Sequence, residues 1–127
     1  MHAVLAFSAL PLFLGALLSD WAYARSFQVQ WTNFASWLIA GGLVFAGVAS
    51  IWALVDVLRS AAARHRRGLL YLLLLLTSVV LGIVNALVHA KDGWAAMPAG
   101  LVLSAMVLLL AALASAIGLA VVRRRVA

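Results

Sequence analysis

The sequence predicts an all-α integral membrane protein, an antiparallel four-helix bundle with both termini cytoplasmic. Three observations carry that reading. Of the 127 residues, 68% are hydrophobic and only 9% are charged, whereas a soluble domain is nearer half apolar and a quarter charged. The mean hydropathy is +1.18. The apolar residues also fall into four runs, and each is long enough to cross a bilayer, which takes about 20 residues. A single membrane domain over residues 1–127 is expected, with no room left for a water-soluble one.

Span one is expected at about residues 3–23, with Pro11 in its first third; neighbouring helices can re-satisfy a proline-freed carbonyl in a membrane helix. Ala22-Tyr23-Ala24 has the form of a signal-peptidase site, but only Met1 and His2 precede the apolar run. Without a basic leader, a retained helix is expected. A polar and aromatic connection follows, from Arg25 to Asn33. Span two covers about 34–58, and a basic loop runs from Arg59 to Arg67. Span three covers about 68–90. A turn from Lys91 to Met97 leads to span four at about 99–122, which ends at Arg123-Arg124-Arg125.

Basic residues set the orientation. Arg59, Arg64, Arg66 and Arg67 in the middle loop and Arg123, Arg124 and Arg125 in the tail make seven, against Arg25 and Lys91 in the other two loops. The seven are read as topology determinants and lipid-headgroup ligands on the cytoplasmic side of a bacterial inner membrane. That location accounts for the net charge of +6 and argues against nucleic acid as a partner. The absence of cysteine excludes disulfides, thiolate metal sites and covalent haem attachment. No phosphate loop, zinc-protease motif or serine elbow is present, so neither catalytic nor metal-binding residues are assigned.

Helices associate in lipid through small residues, since lipid is as apolar as leucine. Span two offers Gly42, Ala46 and Ser50 at steps of four, beside Gly47; span three offers Gly82; span four offers Ala112, Ala116 and Ala120. Surplus small surface would serve a homodimer. Asp56 has Arg59 at i+3, the spacing of an intrahelical ion pair.

The stretch Asn85 to Trp94 is the main site candidate. Asn85, His89 and Asp92 stand at i, i+4 and i+7, on one face of a helix at the outer end of span three. Polar and ionisable groups at membrane depth are functional candidates by default. Asp20 lies at the outer end of span one. With Trp21, Trp31 and Trp94 around them, these residues outline an outward-facing pocket suited to a quinone headgroup, or else an ordinary interfacial helix end. Haem b fits less well. A bis-His site needs two histidines at one depth, and His2 and His65 fall at the other end from His89.

Several features also resemble a known family: the early Pro11 with the terminal Asp20-Trp21, the small-rich segment Gly41 to Gly47, the ending Ala53-Leu54-Val55-Asp56, and the arginine-rich middle loop. Over nearly the whole chain they resemble the bacterial four-span proteins known as domain of unknown function 2231. The resemblance implies association with redox systems, because relatives are fused to or encoded near iron–sulfur, cytochrome and sugar-dehydrogenase-type proteins. Many relatives carry histidines around the early proline, where this chain has Ala6 to Leu10. The function expected is a small non-catalytic membrane subunit anchoring a periplasmic oxidoreductase, with a quinone at the outer pocket. A proton-coupled transporter and a purely structural protein are the rivals.

Overall fold

The structure is a computed structural model that describes residues 2–91 and 93–127, leaving aside the side chains of residues 93, 94 and 125. Asp92, and the side chains of Trp94 and Arg125, therefore lie outside the described residues. Four long helices, α1 (His2–Ser26), α2 (Val29–Arg59), α3 (Arg66–His89) and α5 (Ala99–Val126), pack as an antiparallel bundle, with a single-turn helix α4 (Gly93–Ala96) before α5. α1 and α3 each pack between α2 and α5. All four long helices have the length and apolarity to cross a membrane.

The outer surface is as apolar as the interior. Val4, Leu14, Leu18, Val44, Ile51, Leu73, Leu87 and Leu109 all lie exposed. Such a belt around a bundle is a lipid-facing surface rather than a water-facing one.

The core is built from small side chains and a few large ones set against them. α1 turns Ala3, Ala6, Ala9, Phe13, Ala16, Asp20 and Tyr23 inward, at helical steps of three and four. The Phe13 ring lies on Gly42, where an added Cβ would come within 2.5 Å of it. Ala46 and Ser50 are buried on the same face of α2, and the Ser50 hydroxyl donates to the Ala46 carbonyl at 2.7 Å.

The α3–α5 seam alternates partners. His89 packs on Gly100, Asn85 meets Ser104, Gly82 meets Val107, and Tyr71 packs on Gly118. Both helices move along this seam in matching steps of four, three and eleven residues, which fixes an antiparallel register. Gly100 and Gly118 each receive the larger side chain opposite, and Gly82 receives Leu43 of α2 as well as Val107, so the backbones approach closely.

Four expectations are corrected. A Cβ at Gly47 would meet nothing within 4 Å, so that glycine packs no helix within the chain. On α5 the inward face is Ser104, Val107, Ala111, Ala114, Ser115 and Gly118, while Ala116 and Ala120 are exposed and Ala112 only half-buried. Twelve of the thirteen residues from 101 to 113 are apolar, which leaves the helical phase ambiguous in sequence, and the Ser104 hydroxyl bonded to Asp20 settles it. The polar connection Arg25 to Asn33 is almost wholly helical, because only Phe27 and Gln28 separate α1 from α2. Phe27 makes the turn with φ of 56°, and its N–H donates to the Tyr23 carbonyl at 2.7 Å, a left-handed helix stop. Asp56 pairs with His2 at 3.5 Å rather than with Arg59.

The basic residues gather at one end of the bundle, where α2 and α5 finish and α3 begins. Arg59, Arg66, Arg67, Arg123 and Arg124 are exposed there. Arg64 has a different task. Its Nε and Nη2 donate to the Val57 and Leu58 carbonyls at 2.8 and 2.7 Å, closing carbonyls that the end of α2 leaves open.

Candidate functional site

At the opposite end, three helices contribute to one buried polar network. α1 supplies Asp20, α3 supplies Asn85 and His89, and α5 supplies Ser104. His89 Nδ1–H donates to the Asn85 carbonyl, one turn back, at 2.9 Å. That bond fixes the ring and leaves Nε2 facing Asp20 Oδ1 at 2.7 Å. Ser104 Oγ–H donates to Asp20 Oδ2 at 2.5 Å. Asn85 Nδ2 donates to Ser104 Oγ at 2.9 Å. The chain of donors thus runs Asn85, Ser104, Asp20, with His89 closing it from the other carboxylate oxygen.

The geometry leaves one shared proton. Nδ1 is committed to the backbone, so the bond between Nε2 and Oδ1 is carried by a proton on either the imidazole or the carboxyl. The side chains of Asp20 and His89 have zero exposure. In such surroundings an ion pair and a neutral pair both have every polar atom satisfied, and proton transfer between them moves no heavy atom. Asn85 Oδ1 differs: it is buried with no hydrogen-bond partner, an acceptor held in a place where leaving it unpaired costs about 1–3 kcal/mol.

Gly100 makes room for the imidazole. A Cβ there would stand 2.8 Å from His89 Cε1.

The structure thus unites Asp20, Asn85 and His89 and adds Ser104 and Gly100, which the sequence reading missed. A lone hydroxyl in the outer third of span four was the available signal for Ser104. Trp21 and Trp31 do not wall the network. Trp21 is 57% exposed, with the Arg25 guanidinium 5.7 Å from its ring centre. Trp31 is half-buried, its ring tilted at 48° to that of Phe34 with centres 6.0 Å apart. Among the described residues, Asp20, Asn85, His89 and Ser104 therefore form a closed clasp, while Asp92 and the Trp94 side chain lie outside them. Among the described residues no cluster of three or more His, Cys, Asp or Glu has metal-binding geometry.

No curated protein and no solved structure matches this chain. A family model described as predicted membrane protein, DUF2231, matches residues 1–126. With four apolar helices, a lipid-facing exterior and that match over nearly its whole length, the chain belongs to the DUF2231 family of predicted membrane proteins.

Proposed function

We propose that this protein is a non-catalytic membrane subunit of a redox assembly, and that its Asp20–His89 clasp exchanges a proton with a quinone-class headgroup docking at that end. The observation that carries the reading is the 2.7 Å bond between His89 Nε2 and Asp20 Oδ1 in side chains shut off from solvent. A quinone needs a proton for each electron it accepts. The two electrons would come from the partner oxidoreductase, one proton from the His89–Asp20 pair, and the second from water at that end of the bundle, which also returns the proton the pair gives up. The unpartnered Asn85 Oδ1 is an acceptor ready for the hydroxyl of the reduced headgroup. Docking requires the α3–α5 seam to part at Gly100, where contact is through one ring edge.

The anchoring role is supported by the four long apolar helices, which take up nearly all of the described residues. The seven arginines at one end support an inner-membrane orientation with both termini cytoplasmic and the clasp outward. The free face around Gly47, continuous with the exposed Val48, Ile51 and Trp52, suits a second copy of the chain. The burial of Asp20 also favours a second reading, proton-coupled transport, because a membrane-buried carboxylate is its usual requirement.

The test is titration of the purified protein with a short-chain benzoquinone, read by tryptophan fluorescence. Saturable quenching in the wild type, weakened at least tenfold in His89→Ala and in Asn85→Leu, is expected. Equal quenching in all three proteins would remove the quinone site. Proton uptake by proteoliposomes that is abolished in Asp20→Asn would favour transport instead.

A further inference from the structure

The chain contains only three acidic residues, and the two that are described each face a histidine from another helix. Asp20 faces His89, and Asp56 faces His2. The second pair lies at the arginine-rich end. His2 Nδ1 lies 3.1 Å from the Tyr71 hydroxyl, and His2 Nε2 lies 3.5 Å from Asp56 Oδ2. The rings of His2 and Tyr71 are tilted against each other with centres 5.2 Å apart. Tyr71 is itself buried, with its ring seated on Gly118.

The two pairs sit at opposite faces. His2 and Tyr71 are separated by 69 positions in sequence, as are Asp20 and His89. α1 and α3 therefore run parallel in one register, and eighteen residues of helix divide the pairs on each. At 1.5 Å per residue that is roughly 27 Å, close to the thickness of the hydrocarbon core.

They differ in access to water. The clasp side chains have no exposure, whereas those of His2 and Asp56 are 19% and 40% exposed. A cleft opens onto them, lined by His2, Asp56, His65 and Tyr71 among small apolar residues, with a cavity volume of ≈ 30 Å³. A polar site of that volume, offering several partners, is large enough for a water molecule.

We propose that this cleft is a solvent-facing proton site, in which Asp56 and His2 hold a proton exchanged with bulk water and Tyr71 orients the imidazole. A phenol is protonated at neutral pH, so Tyr71 O–H donates to Nδ1 of neutral His2. The ring proton then sits on Nε2 and faces Asp56. When His2 gains a second proton, Nδ1 becomes a donor and the Tyr71 hydroxyl turns to accept. Among the described residues, the other charged and titratable groups around the cleft are few. His65 lines it from the loop before α3, and α5 contributes Gly118 and Val121. Arg67 and Arg124 line the adjoining hollow that shares His65, and Arg59 lies one turn beyond Asp56. The site stands apart from the clasp, so the fate of the quinone reading does not decide it.

The test uses the full chain, labelled with ¹⁵N in the histidine rings and held in lipid nanodiscs. His2 nitrogens should follow bulk pH between about 5 and 8, and the midpoint should move at least tenfold in proton concentration in Asp56→Asn. In Tyr71→Phe the tautomer with the proton on Nδ1 should appear. The His89 signals, a bundle-length away, should stay unchanged in both variants and so report an intact fold. A His2 ring indifferent to bulk pH, or an unmoved midpoint in a folded Asp56→Asn protein, would overturn the proposal. Should Asp56→Asn lose the His89 signals, the Tyr71→Phe tautomer decides: an unchanged wild-type tautomer refutes the orienting bond and the site with it.

Discussion

His89 is held by three separate contacts: a backbone carbonyl, a carboxylate and the bare face of Gly100. Each predicts a different cost. Asp20→Ala removes the partner of a buried imidazole and should destabilise the protein by about 3 kcal/mol. Asp20→Asn keeps the shape and one acceptor, and should cost nearer 1 kcal/mol. Thermal unfolding in detergent separates the two; equal losses would show that the carboxylate charge carries the whole effect and that the retained shape and acceptor contribute nothing. Gly100→Ala brings a methyl to 2.8 Å from the ring and should cost about 1–3 kcal/mol through overpacking. Made in a His89→Ala background, the same Gly100→Ala change should cost little, because the ring it strikes is gone. From sequence, Asp20, Asn85 and His89 were legible because polar groups stand out in an apolar run. Ser104 and Gly100 were not, since one hydroxyl and one glycine are ordinary in a membrane helix until a register places them.

At the scale of the helix, small residues have meaning only by facing. Gly42 and Gly47 look equivalent in sequence, but Phe13 covers one and nothing within the chain covers the other. Gly42→Leu should therefore cost about 1–3 kcal/mol, while Gly47→Leu should leave the monomer within about 0.5 kcal/mol of wild type. If Gly47→Leu instead shifts a dimer to monomer in size-exclusion chromatography, the free face is an interface between copies. Helix ends follow similar logic. Arg64 was legible only as a charge, because its capping of α2 depends on how the loop folds back. Arg64→Ala should cost about 1 kcal/mol and raise hydrogen exchange at the end of α2 and in the following loop, while Arg66→Ala should leave both unchanged.

At the scale of the whole molecule, α1 and α3 run in parallel and carry a histidine-containing pair at each end, one sealed and one open. Between the two lies a core of Phe13, Ala46, Leu75 and Val107 that excludes water. Orientation is checkable because the chain has no cysteine. Single cysteines placed at Gln28 and at Ala62 should label from opposite sides of sealed vesicles, Gln28 from the outer side. Labelling of both from one side would refute the bundle's crossing of the membrane, and reversed sides would refute the arginine-based orientation.

Four apolar helices in a membrane are legible in the chain alone, because hydropathy and length are summed along it and need no knowledge of neighbours. So is the end that carries the positive charge. Which faces meet is a matter of tertiary packing alone, as are the sealed contact between Asp20 and His89 and the open one that brings His2 to Asp56 and Tyr71. In a helix that is apolar on every side, the hydrophobic pattern no longer marks a buried face. Close approach at glycine and the need to satisfy each buried polar atom choose that face instead, and both are properties of pairs of helices.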